Sequence, residues 1–127
     1  MATFAADVVA RVAEDADLWE VARTLVDADV GALAVGSSDD VRGIVSERDV
    51  VRALAARRDP ATTRAIDIGR TDLVSCDATA TVAEVAEQMM EQYVRHILLE
   101  DRGRVVGIVS ARDLLGAYAA AEGTAEG

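Results

Sequence analysis

The chain has no lysine: all 13 of its basic residues are arginine, set against 23 acidic ones. The net charge of −10 and a pI near 4.4 leave no basic face for a phosphate backbone, which argues against nucleic acid as a partner. Any anion site must therefore use guanidinium forks, which match phosphate oxygens well. One cysteine, Cys76, cannot form an intrachain disulfide, so a reduced cytoplasm is the expected compartment. One histidine, His96, and no Cys-x-x-Cys or His-x-x-x-His spacing leave no metal-centre signature. Gly-rich phosphate loops are also missing, so the expectation is a protein that is not an enzyme and requires no cofactor. No run approaches the ~20 apolar residues that span a bilayer. Met1–Ala10 lacks the basic and apolar regions of a secretion signal, so no membrane role is expected. Hydrophobic residues reach 51% but aromatics only 3%. The expected core is therefore Val, Ala, Leu and Ile, with Trp19 and Phe4 as isolated bulky groups.

What is present is a duplication. Residues 43–55, Gly-Ile-Val-Ser-Glu-Arg-Asp-Val-Val-Arg-Ala-Leu-Ala, return 64 positions later as 107–119, Gly-Ile-Val-Ser-Ala-Arg-Asp-Leu-Leu-Gly-Ala-Tyr-Ala. The register holds without a gap from Asp17/Thr81 to Ala55/Ala119. Leu18, Val21, Ala22, Leu25 and Val26 fall on Val82, Val85, Ala86, Met89 and Met90. A period above the usual solenoid range, present only twice, indicates one internally duplicated domain. A half of this size buries too little apolar surface to stand alone, so the halves are expected to share a core.

Each copy announces its elements. Asp17-Leu-Trp-Glu20 and Thr81-Val-Ala-Glu84 read as capping boxes, followed by an apolar stripe at helical spacing over 18–28 and 82–92. Met89 and Met90 fall on that stripe and are expected in the core. Short apolar runs at Ala32–Val35 and His96–Leu99 precede turn-rich tetrads at Ser37–Asp40 and Glu100–Gly103. Val41–Val45 and Arg104–Val109 then complete a hairpin in each copy. A second helix begins at Ser46 or Ser110 and runs to about Ala56 or Ala120. Val8–Val12 and Leu73–Cys76 read as short opening strands. The only proline, Pro60, sits in the polar stretch Arg57–Thr63, which reads as the boundary between the halves.

A tandem β-α-β-β-α pair with each hairpin ending Gly-Ile-Val-Ser-x-Arg-Asp resembles a CBS-domain pair, or Bateman module, of the stand-alone kind. The resemblance covers roughly residues 4–121 and implies an α+β fold of two tandem repeats. They occupy 4–63 and 68–121, are related by pseudo-two-fold symmetry, and are followed by a flexible tail at 122–127. Each repeat is expected to form a small three-stranded sheet with both helices on one face. In that family Ser/Thr-x-x-Asp often supplies half of an adenine-nucleotide site in the cleft between repeats. The resemblance carries this role to Ser46 and Asp49, and to Ser110 and Asp113. A carboxylate accepts from a ribose diol, and a helix N-terminus meets phosphate. Arg48 and Arg112 stand ready as countercharge. Arg95 and His96 precede the second-repeat strand, where the family often places basic residues facing phosphate, whereas the first repeat has Gly31 and Ala32. With no aromatic ring to stack on adenine, the aliphatic Val30, Val45, Val74 and Val109 are expected to sandwich it. Ala34-Val35 and Leu98-Leu99 stand where many members have Pro-Val.

Two readings stay open. In one, the chain is a regulatory module for AMP, ADP, ATP, S-adenosylmethionine or NAD, which passes ligand binding to an unknown target protein as a conformational or oligomeric change. In the other, Ser-x-x-Asp only caps helices, and the chain is a ligand-free interaction module. The resemblance implies a homodimer, a disc of four CBS repeats, in either case. The Ala-rich helices 50–56 and 114–121 are plausible dimer surfaces, because small residues permit close approach of helices.

Overall fold

Capped amphipathic helices set the frame of both repeats. In the computed structural model, which describes residues 9–37 and 39–116, β1 (Arg11–Val12) leads into α1 (Leu18–Ala28). β2 (Ala32–Ser37), β3 (Asp40–Ser46) and α2 (Glu47–Ala55) follow. After a short α3 (Ala65–Ile68), the pattern returns as β4 (Ser75–Asp77), α4 (Val82–Gln92), β5 (His96–Asp101) and β6 (Arg104–Ser110). Residues 111–116 are helical. Phe4, Val8, the helix expected to reach Ala120 and the tail 122–127 lie outside the described residues, in whole or in part.

The helix bounds follow from their caps. The Asp17 carboxylate accepts from the Glu20 N–H at 2.9 Å. Thr81 and Glu84 form the reciprocal box, at 3.1 and 3.2 Å. Each such cap contributes about 1 kcal/mol. Both helices end on a residue in the left-handed region, Asp29 (φ 54°) and Tyr93 (φ 55°), at matching positions of the duplication. That turn swings the chain back into the central strand.

Each sheet is three-stranded, in the orders β1-β2-β3 and β4-β5-β6. The opening strand runs parallel to the central one, which requires a helix to cross over between them. The central and third strands form an antiparallel hairpin. Arg102 (φ 53°) and Gly103 (φ 81°) take positive φ at the second hairpin's turn, the primed geometry that matches strand twist. Both hairpins shift register at the same place, Val35/Gly36 and Leu99/Glu100.

Side chains alternate across the sheet, so Leu33, Val35 and Val45 share one face with Val21 and Leu25 of α1 and Val50 and Ala53 of α2. Both helices of the repeat therefore cover one face. The second repeat repeats the arrangement with Ile97, Leu99, Val109, Val85 and Met89. Fully buried side chains such as Leu33 and Ile97 each contribute about 1.5–3 kcal/mol. Among the described residues, Val9–Leu73 form one compact unit and those from Val74 onward another. Each unit has a buried cluster of its own, although size alone had argued for a single shared core.

Two expected core groups face outward instead. Trp19 is 63% exposed and Met90 is 76% exposed. On α1 the residues Leu18, Val21 and Leu25 meet the sheet. Position 19, and position 26 seven residues on, lie roughly a third of a turn away at 3.6 residues per turn. Met90 stands at the equivalent flank of α4, while Met89 is buried.

The polar stretch after α2 is bonded into the first unit. Leu18 N–H donates to Pro60 O at 3.1 Å, and Ala65 N–H to Ala16 O at 2.8 Å. Arg70 and Ile44 exchange two backbone bonds, at 2.8 and 2.9 Å, so the chain after α3 covers the edge of β3. Gly43 allows that approach, because a Cβ there would lie 2.9 Å from Arg70 O. Among the described residues, no helix is long and apolar enough to cross a membrane.

The first bulge depends on Gly36, which takes φ +108° and where a Cβ would collide with the Asp40 carbonyl oxygen. Gly103 also has positive φ (+81°) but open space around it. Gly36→Ala is expected to cost at least about 2 kcal/mol, left-handed strain plus a clash, and Gly103→Ala only about 1 kcal/mol. Urea unfolding of the two variants checks the order.

Candidate functional site

The third strand of each repeat runs straight into a helix, and the residue at the junction is a serine. Ser46 has extended backbone (φ −115°, ψ 166°) and caps α2. Its Oγ accepts from Asp49 N–H at 3.3 Å and donates to Asp49 Oδ2 at 2.9 Å. Its own N–H reaches the same Oδ2 at 2.8 Å. In the second repeat, Ser110 N–H donates to Asp113 Oδ2 and Asp113 N–H to Ser110 Oγ, each at 3.0 Å. In the first box both bonds to the aspartate converge on Oδ2, and in the second the single bond also reaches Oδ2. A carboxylate accepts through both oxygens, so capping leaves acceptor capacity for another donor. Capping and ligand binding are compatible roles for the same side chain.

Strand register decides what else stands at this junction. Ala32 pairs with Ser46 and His96 with Ser110. Glu47 N–H donates to Gly31 O, and Ala111 N–H to Arg95 O, each at 2.9 Å. The entrance of the central strand is thus tied to the first residue of the following helix, and Arg95, His96, Ser110, Arg112 and Asp113 gather at one end of the second sheet. Ser46, Arg48, Asp49 and Val30 gather at the equivalent end of the first. Arg48, Arg95, Arg112 and Asp113 are exposed, and Asp49 and His96 are half-buried.

The aliphatic candidates divide. Val30 is 38% exposed beside the first junction. Val74 is partly buried against the second unit's core, and its carbonyl accepts from Leu98 N–H at 2.9 Å. Val45 and Val109 are not available to sandwich a ligand, because both are packed inside their own clusters. They occupy the sheet face that the helices cover, a matter of strand parity.

Sequence reasoning missed Glu47. A Cβ built on Gly31 would lie 2.9 Å from Glu47 Oε1, so this carboxylate folds back over the strand entrance. The signal was present in the repeat alignment, where Gly31 and Glu47 stand opposite Arg95 and Ala111.

Cys76 is half-buried against the second core. Burial, and after it the nearby Glu84 carboxylate, push its thiol up from the ordinary value. It stays protonated and weakly nucleophilic at neutral pH. Among the described residues, no group of three or more His, Cys, Asp or Glu side chains is placed to hold a metal ion.

Two tandem α+β units, each with a strand-to-helix Ser-x-x-Asp junction, define a duplicated module. The CBS domain family model matches residues 5–56 and 65–120, and the chain belongs to the CBS-domain family. It is 34% identical over 105 residues to Hypoxic response protein 1 of Mycobacterium tuberculosis, covering 81% of this chain and 73% of that protein. A solved structure of Hypoxic Response Protein I with two coordinated zinc ions shares 32% identity and a TM-score of 0.69, covering 91% of this chain and 98% of that one. A CBS domain protein of Pyrobaculum aerophilum, complexed with AMP, shares 31% identity and a TM-score of 0.71 over 84% of this chain and 82% of that one.

Two outcomes test this geometry. Ser46→Ala and Ser110→Ala should each lower stability by about 1 kcal/mol, with Ser46 the costlier because its hydroxyl both donates and accepts; urea titration reads the difference. Cys76 in the folded chain should alkylate more slowly than in the urea-unfolded chain at mildly alkaline pH. The raised folded pKa means less thiolate, and the gap should close as pH climbs past it.

Proposed function

We propose that this chain is a regulatory module that binds an adenosine-containing ligand of the AMP, ADP, ATP, S-adenosylmethionine or NAD class. The observation that carries the reading is the second junction. Register pairs His96 with Ser110, and Ala111 N–H bonds the Arg95 carbonyl at 2.9 Å, which brings two guanidinium-bearing residues to the helix that starts with Ser110 and Asp113. Asp113 accepts from the ribose hydroxyls. Arg95, Arg112 and the first-turn N–H groups meet the phosphate, where guanidinium pairing and the helix dipole act in the same direction. The first junction offers Ser46, Arg48 and Asp49 to the same kind of ligand. The AMP complex of the Pyrobaculum aerophilum relative supports the ligand class. The role is regulation and not catalysis, and the compartment is the cytoplasm.

Ligand binding becomes a signal only through differential affinity for two states of the chain, or of a pair of chains. The pair is a homodimer, supported by apolar side chains left exposed on the second helices, Val51, Leu54 and Leu115. A target protein of unknown identity reads that state. The same exposed side chains favour a second reading, a ligand-free interaction dimer in which both Ser-x-x-Asp boxes serve as caps alone.

A thermal-shift panel of AMP, ADP, ATP, S-adenosylmethionine, NAD and adenosine separates the two. A ligand at ~100 times its Kd adds about 2.7 kcal/mol to the folded state. Asp113→Ala should abolish the shift given by AMP and ATP while the fold survives, Asp49→Ala should reduce it less, and Arg95→Ala should weaken AMP and ATP more than adenosine. No shift with any member at millimolar concentration, together with a dimer by light scattering, would leave the interaction module.

A further inference from the structure

The two junctions share their backbone and differ in charge at two positions, Gly31 opposite Arg95 and Glu47 opposite Ala111. In each, the first helical residue donates its N–H to the carbonyl of the residue before the central strand, at 2.9 Å. In the second repeat that pair is Arg95 and Ala111, a guanidinium-bearing residue bonded to one that carries no charge. In the first the pair is Gly31 and Glu47, and the Glu47 carboxylate lies 2.9 Å from where a side chain on residue 31 would begin. The flanking charges match, Arg48 with Arg112 and Asp49 with Asp113, and so cancel in the comparison. What remains is a carboxylate at one strand entrance and a guanidinium, with His96 in place of Ala32, at the other.

The geometry points to Glu47 and Arg95 as a charge filter that gives the two junctions different ligands. The second takes a phosphorylated adenosine ligand. The first repels phosphate and takes an adenosine derivative that carries none. This inference rests on the adenosine reading above and adds the specificity of each junction. A phosphate seated at the helix start lies within a few ångströms of position 47. A carboxylate at that range in partly screened solvent changes affinity by about tenfold. The same carboxylate leaves the neutral nucleoside almost untouched.

Calorimetric titration of the full chain with AMP and with adenosine, at low salt, tests the filter. The parent should bind adenosine at both junctions and AMP tightly at one. Glu47→Gln keeps the size and removes the charge, so the weaker AMP site should tighten about tenfold with adenosine changed less than about twofold. Ala111→Glu should weaken the tight AMP site by a similar factor, and Ala111→Gln should not. At 1 M salt, where the screening length falls to ~3 Å, these differences should shrink, which a purely steric or stability effect would not do. Both positions are exposed first-turn residues, and circular dichroism verifies that each variant folds. An unchanged ratio of AMP to adenosine affinity in Glu47→Gln, or equal losses in Ala111→Glu and Ala111→Gln, would overturn the filter and leave the adenosine reading intact. A parent that binds neither ligand would overturn both.

Discussion

A single backbone hydrogen bond in each repeat, from the first helical residue after the hairpin to the residue before the central strand, holds the candidate site in place. Strand pairing is periodic, and a slip of one residue would turn every side chain to the other face of the sheet. Here the register is pinned from several sides. Leu33, Val35 and Val45 must face the helices in the first repeat, and Ile97, Leu99 and Val109 in the second. The bulge after Val35 or Leu99 absorbs the extra residue at the far end of the hairpin. With the register fixed there, Ser46 and Ser110 have no freedom about what stands opposite them. The site is a by-product of core packing at the other end of the same strands.

That economy puts helix capping and the candidate site on the same residues. Ser46 and Asp49, and their counterparts Ser110 and Asp113, satisfy helix-end N–H groups that would otherwise be unpaired. The aspartate uses Oδ2 for the cap, so folding leaves the other oxygen of the same carboxylate uncommitted. A protein built this way can lose its ligand and keep the motif, because the cap alone is reason enough to retain it. The charges around the cap have no such structural reason. Arg95 and Glu47 make no contribution to either buried cluster, and both positions differ between the repeats, with Gly31 opposite Arg95 and Ala111 opposite Glu47.

The duplication, the β-α-β-β-α order and the helix bounds were legible in the sequence because each is encoded within a few neighbouring residues. A cap acceptor three residues before a partner marks a helix start, and the bounds 18–28 and 82–92 match those observed. The central strands and hairpins also fell where alternation and turn residues put them. α3 was not read, since its four residues carry no apolar periodicity and it rests on Arg64, whose N–H, Nε and Nη2 all reach the Asp67 carboxylate. Trp19 and Met90 were placed in the core because hydrophobicity was counted without the angle at which the helix meets its sheet. Val45 and Val109 were assigned to a ligand although strand parity had already committed them to the interior.

The sequence by itself determined the unit that is repeated, the elements within it, and the residue types capable of meeting a nucleotide, because those properties depend on local spacing and chemistry. The tertiary structure alone decided which of these residues stand together. The placement of His96 against Ser110, the bond from Ala111 to Arg95 and the carboxylate of Glu47 over Gly31 all join positions some 14 to 16 residues apart in the chain. Only strand pairing brings such positions into contact, and pairing is settled by the burial of side chains elsewhere in the sheet.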